Sequence, residues 1–168
     1  LVNRALELNP KFVIAIKNKI KILKELKLND EALEFLSKNE NAFEKSIDLI
    51  VEKVDLCIEK LDLKEAFKLN EDLLKKEPNN VGALNNQGVI YERNSRYQHQ
   101  DKYLSLALKS FEEVIEKNND YALGWSNKTA ILIAKHDLEE AESIINKGYS
   151  MFPNSPDVLN KIGVLLIN

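Results

Sequence analysis

Four alanines, Ala32, Ala66, Ala107 and Ala141, stand 34, 41 and 34 residues apart. A period of this size constrains the chain more than any other feature. A unit this short cannot bury its own apolar face, so it folds by stacking on copies of itself. The prolines keep the same beat: Pro10 to Pro78 spans 68 residues and Pro78 to Pro153 spans 75, an excess of seven that matches the long interval between Ala66 and Ala107. Aligning on the alanines brings Ile16, Ile50, Leu84, Trp125 and Leu159 into one column and Leu23, Cys57, Tyr91, Leu132 and Leu166 into another. The two columns are seven residues apart, two turns on one helical face. Between them runs Ile20, Val54, Gly88, Thr129 and Gly163, small in its last three members.

Each unit therefore reads as an amphipathic helix, a short turn and a second amphipathic helix that carries the alanine. A methyl group at the alanine position lets the two helices approach closely. Asn29-Asp30, Asp62 and Asp137 precede the apolar runs of second helices, and Asp30 and Asp137 are expected to cap them. "ELNP", "KEPNN" and "MFPNSP" close units, with proline just past a helix end. A capping-box pattern at Asn41-Ala42-Phe43-Glu44, five residues ahead of the strict period, predicts an extended helix there.

The columns resemble the tetratricopeptide repeat, a 34-residue helix-turn-helix with an aromatic, a leucine-glycine pair and a tyrosine on its first helix and alanine, an aromatic, alanine and proline on its second. The resemblance is best at "LNNQGVIY", "GWSNKTAIL" and "DLEEAESIINKGYSMFPN" and covers essentially the whole chain. Departures are plain: the first two units lack the glycine, Asn70 replaces the second-helix aromatic, and Lys19, Lys53, Gln87 and Lys128 hold the leucine column. A lysine there can lay its stem on apolar surface and reach out to water. The resemblance implies an all-α, right-handed solenoid forming one array over residues 1–168. Residues 1–10 close a second helix, helix pairs occupy about 11–41, 42–78, 79–119 and 120–153, and a last first helix fills 155–167. The chain opens inside a helical pattern and without methionine, so it is expected to be a piece of a longer protein.

Composition agrees with helices and narrows the function. Few prolines and glycines (four and five) and 30% charged residues favour helix over sheet. A net charge of −3, from 24 basic and 27 acidic residues interspersed, offers no footprint for a polyphosphate partner. Cys57 is the only cysteine, which fits a reducing cytoplasm, and no apolar run reaches the ~18 residues of a membrane span.

In the family resembled, first helices line a concave groove that binds extended or helical segments of partner proteins. The residues flanking the internal columns on that side are Lys17, Asn18, Lys21 and Lys24; Asp48, Glu52, Asp55 and Glu59; Asn85, Asn86, Val89 and Arg93; Leu123, Ser126, Asn127, Ala130 and Ile133; and Asn160, Lys161 and Val164. Read in order, the groove is basic, acidic, amide and apolar, and the partner expected is a protein or peptide of mixed charge. Asn18, Asn86 and Asn127 share a column, and an amide there can pair with a peptide backbone; abundance of asparagine alone also explains the column. The carboxylate clamp used by some members is excluded in this register, because Glu52 stands where it needs an asparagine.

Nothing in the chain points to catalysis. No phosphate loop, nucleophile elbow or HExxH signature occurs, and no metal or cofactor is expected. Cys57 and Trp125 occupy core columns, His136-Asp137 falls at a turn, and Glu112-Glu113 and Glu139-Glu140 lie among lysines on second helices. "NKT" at Asn127 sits on a groove helix, which argues against glycosylation. "RYQHQDKY" falls where the period lengthens and is expected to extend the third hairpin, with the first helix running past Arg93 and the second starting near Asp101. Tyr97 or Leu104 is then expected at the apolar turn position and Tyr103 against the neighbouring pair, with Arg96, Tyr97, His99 and Lys102 as a secondary partner contact. The reading is a non-enzymatic cytoplasmic scaffold. A self-assembly or spacer module with exposed repeat ends is the alternative, and an RNA-reading helical repeat a remote one.

Overall fold

The computed structural model describes residues 2–9, 12–39, 46–98 and 101–167. Among them are ten α-helices and no strand: α1 Val2–Leu8, α2 Val13–Glu25, α3 Asn29–Lys38, α4 Ile47–Glu59, α5 Leu63–Lys76, α6 Val81–Gln98, α7 Asp101–Lys117, α8 Ala122–Ala134, α9 Leu138–Met151 and α10 Pro156–Ile167. They form two compact units, Leu1–Pro78 with α1 to α5 and Asn79–Asn168 with α6 to α10. One packing scheme recurs in both. Within each unit a first helix packs on its own second helix and on the next first helix, and a second helix packs on the first helix that follows it in that unit. The extended helix expected from Asn41 to Glu44 lies outside the described residues; α4 begins at Ile47.

The alanine period marks the closest helix crossings. Ala32, Ala66, Ala107 and Ala141 sit on α3, α5, α7 and α9, and each is fully buried. In the first unit Ala32 joins Ile16, Ile20, Leu36, Leu49 and Leu56 in one core. In the second, Ala107, Phe111 and Ile131 form one cluster, and Trp125, Leu132, Ala141 and Ile144 another. The small column has a steric reason at Gly88. A Cβ built there would stand 2.5 Å from Cε1 and 2.6 Å from Cζ of the buried Phe111. Gly124 likewise faces Val114 Cγ1 at 2.7 Å, whereas nothing lies within 4 Å of a Cβ at Gly163.

Three hairpins turn in the same way. The N–H groups of Leu28, Asp62 and Asp137 each donate to a carbonyl five residues back, those of Leu23, Cys57 and Leu132, at 2.9 Å. The residue before each donor is left-handed: Lys27 at φ 61°, Leu61 at φ 63° and His136 at φ 61°. This closes the helix end with a Schellman-type bond, using at Lys27 and Leu61 side chains that tolerate the left-handed region poorly. Asp62 and Asp137 then cap the following helix, accepting from the N–H of Glu65 at 3.2 Å and Glu140 at 3.3 Å. The cap expected at Asp30 is not formed. α3 starts two residues earlier, with Leu28 at its N-cap, so Asp30 lies inside the first turn and accepts instead from Lys60.

The α6–α7 hairpin is longer. Its helices have 18 and 17 residues, against 13 and 14 for α8 and α9. Tyr103 stacks on Tyr91 of the same hairpin, ring centroids 6.3 Å apart. Leu104 packs toward the Phe111 cluster while Tyr97 is 59% exposed, so Leu104 takes the apolar position. No helix of the described residues is long and apolar enough to cross a membrane.

Candidate partner-binding site

In the first unit α2 and α4 lie side by side, and their charges answer one another. Lys17 donates to Asp48 at 2.9 Å. Lys24 reaches Asp55 at 2.8 Å, Glu52 at 3.3 Å and Glu59 at 3.9 Å. Burial of the Lys24 amine acts to lower its pKa, but Asp55 and then Glu52 outweigh it, and the amine ends above the ordinary lysine value. The basic and acidic bands expected from the sequence as separate are thus one ion-paired row, two lysines against four carboxylates. The reason is geometric: residues about one period apart on successive first helices stand opposite each other, so the lysines of α2 find the carboxylates of α4 before any partner does. Lys21 and Asn18 remain exposed outside this row.

The second unit differs. α6, α8 and α10, with Phe111 of α7 at the base, line a cleft of about 190 Å³ whose walls carry Val89, Glu92, Arg93, Arg96, Asn127, Ala130, Ile131 and Lys161. Glu92 pairs with Arg96 one turn away and lies 3.7 Å from Nε of Arg93. That distance is beyond a hydrogen bond, and the Arg93 Nε–H is buried without an acceptor. Lys161 pairs with no carboxylate of the described residues. Three cations against the single carboxylate of Glu92 make the cleft positive within an acidic chain. Asn127 stands at the wall, its Nδ2 donating to Asn85 Oδ1 at 2.9 Å. The amide pairing therefore joins Asn127 to Asn85, and Asn85 and Asn86 are both buried. Asn86 is drawn into the helix packing where the column of exposed amides required it at the surface.

Two groove assignments move to the core. Ile133 packs against the Trp125, Leu132, Ala141 and Ile144 cluster, because its position in the last turn of α8 turns it toward α9. Ser126 is buried and donates to the carbonyl of Asp157 at 3.2 Å. Leu123 is half-buried near the start of α8 and does not line the cleft. Of the secondary contact, Arg96 belongs to the cleft, Tyr97 is exposed, Lys102 lies 5.1 Å from the Tyr103 ring centroid, and His99 is outside the described residues. Val89, Arg93, Asn127, Ala130 and Lys161, expected on the groove face, all line the cleft, whereas Glu92 is not expected there and Arg96 is expected at the hairpin tip; its spacing of three residues from Arg93 is the available signal.

The groups considered for chemistry are structural in their settings. Cys57 is buried, and burial pushes its thiol up, away from thiolate. Trp125 donates from Nε1 to the carbonyl of Asn119 at 2.9 Å while its ring fills the core. His136 is the left-handed turn residue. Among the described residues no three His, Cys, Asp or Glu side chains converge as metal ligands would. The lysines in the leucine column have found partners: Lys128 bridges Glu112 at 3.0 Å and Glu140 at 3.3 Å, and Lys19 lies 4.4 Å over the Phe35 ring.

No protein-family model and no curated protein matches the sequence. Solved structures do match. TTC0263, a thermophilic TPR protein of Thermus thermophilus, is 14% identical with a TM-score of 0.80, over 90% of this chain and 81% of its own. YrrB, a TPR protein with an unusual peptide-binding site, is 19% identical with a TM-score of 0.63, over 95% and 78%. The first TPR of Spaghetti (RPAP3), bound to the HSP90 peptide SRMEEVD, is 19% identical with a TM-score of 0.60, over 72% and 90%. At these identities the likeness is one of fold, and it agrees with the alanine period, the hairpin turns and the recurring packing: the chain is an all-α helical-repeat protein with the tetratricopeptide fold.

Proposed function

We propose that the chain is a non-catalytic interaction module that holds a segment of a partner protein along the first-helix face of its second unit. The observation that carries this reading is the cleft shared by α6, α8 and α10, where a cationic rim surrounds apolar walls on a face the hairpins leave open. A helical or extended segment laid across such a face gains affinity from side chains seated in concavities. The first unit contributes less, since its Lys17 and Lys24 are already satisfied by Asp48, Glu52 and Asp55. YrrB and the RPAP3 domain, named for a peptide-binding site and a bound peptide, supply precedent for the fold.

The test is selection of random displayed peptides on the immobilised chain, followed by titration of the peptides returned. Ala130 lines the cleft and is half-buried, so Ala130→Arg fills the concavity without entering the core. Selected peptides are expected to lose at least tenfold in affinity for this variant while its far-ultraviolet circular dichroism is unchanged. Undiminished binding to a folded Ala130→Arg chain refutes the site.

A further inference from the structure

We propose that Ser105, on the exposed face of α7, is a phosphorylation site: a protein kinase modifies its hydroxyl, and Lys135, Lys102 and Lys109 hold the phosphate. The first observation is the direction of its hydrogen bond. Ser37, Ser95, Ser110, Ser126, Thr129 and Ser150 each donate to a backbone carbonyl. Ser105 instead accepts, from Nζ of Lys135 at 3.1 Å, across the packed pair α7 and α8. Its side chain is exposed to water and already faces a cation from another helix.

Two more cations flank it. Lys102 and Lys109 stand three residues before and four after Ser105, the spacings that put side chains on one helical face. None of the three lysines is ion-paired with a carboxylate among the described residues, and Lys102 lies 5.1 Å from the Tyr103 ring centroid. Asp101, one turn before Ser105, opposes an added anion, a single charge against three. In a chain of net charge −3 this is a local excess of positive charge. A neutral hydroxyl uses little of it, whereas a phosphate brings close to two negative charges and three acceptor oxygens.

Ser105 is also reachable. It is the fifth residue of α7, so fraying of the first turn presents it to a kinase while the buried Ala107 and Phe111 stay in place. In the reaction Oγ forms a bond to the γ-phosphorus of a nucleoside triphosphate and the bond from that phosphorus to the β–γ bridging oxygen breaks. The nucleoside diphosphate leaves, and the hydroxyl proton passes to the kinase's base. The product ties α7 to the C-terminal end of α8, where Lys135 is the C-cap, by bonds between full charges.

Two measurements test this. Phosphopeptide mass spectrometry of the protein isolated from growing and from starved cells of its own source is expected to find phosphate on Ser105; its absence in both states overturns the proposal. In the second, phosphoserine is installed at position 105 of the whole chain by amber suppression. This chain is expected to melt about 2–4 °C above the unmodified one in low salt. The gain should shrink in high salt, and Lys135→Gln should remove at least half of it. Lys135 is exposed, so its substitution leaves the core untouched. Phosphoserine at Ser37, in the last turn of α3 and three residues after Glu34, is the control and should give no gain. A phosphoserine at 105 that leaves the melting temperature unchanged or lowers it, or a gain that Lys135→Gln does not reduce, overturns the assignment. Neither measurement involves the cleft, so the interaction reading stands or falls separately.

Discussion

Gly88→Ala isolates a steric rule from helix propensity. Gly88 lies within α6, where alanine is intrinsically favoured over glycine by about 1 kcal/mol. Against that gain stands Phe111, 1% exposed, whose ring atoms would meet the new methyl at 2.5, 2.6 and 2.9 Å. Carbon atoms rest at about 3.5–4.0 Å, so ring or helix must move by about 1 Å. Phe111 is packed with Ala107 and Ile131, which leaves the ring little room, and the overpacking cost belongs near the upper end of the usual range, about 3 kcal/mol. The net expectation is destabilisation by about 2 kcal/mol, a fall in melting temperature of roughly 4–8 °C for a chain of this size. Gly163→Ala is the control: it lies in α10 with nothing within 4 Å of the new methyl, so the same substitution should stabilise by about 0.5–1 kcal/mol. Paired urea and thermal melts of the two variants decide the matter. A Gly88→Ala chain as stable as the parent would refute the close approach of α6 and α7.

Four further outcomes follow from named contacts. Lys24→Gln should cost about 1–2 kcal/mol; because the Lys24 pKa is raised in the folded chain, its stabilisation is present below pH 10.5 and lost as pH rises through the raised value, so the variant's alkaline melting curve should be flatter than the parent's. Lys128→Leu exchanges a buried cation for an apolar side chain, leaving its two carboxylate partners exposed to water, and should be neutral or stabilising in urea melts, whereas Lys128→Ala also loses the stem's packing and should destabilise by about 1–2 kcal/mol. Leu61→Gly, at φ 63° and half-exposed, should raise stability by about 1 kcal/mol by relieving a left-handed side chain. Asp137→Ala removes the N-cap of α9 and should cost about 1 kcal/mol, measured by the same melts.

The fold was legible in the sequence because its determinants are local and periodic. The alanine at each crossing and the small residue at Gly88 are consequences of helix approach, and both survive as spacing. The site was less legible because it depends on helix rotation between repeats. Spacing rules placed Lys17 and Lys24 on the open face but could not show that Asp48, Glu52 and Asp55 stand within reach of them. They also placed Ile133 outward, where a small rotation of α8 sends it to the core. The shared left-handed turn was hidden for another reason: Lys27 and Leu61 carry none of the usual preference for positive φ, and only His136 belongs to a residue type enriched there.

The long α6–α7 hairpin carries a lesson about how such arrays vary. Relative to α8 and α9, its described helices are longer by five residues on the first and three on the second. Seven residues are close to two helical turns, a length that would preserve register. Growth at the free tip of a hairpin makes that coincidence unnecessary. New residues extend both helices outward together, and every residue nearer the base keeps the neighbours it had. Hairpin height is therefore a free coordinate of the architecture, adjustable one residue at a time, while the spacing between hairpins is held by the alanine crossings below.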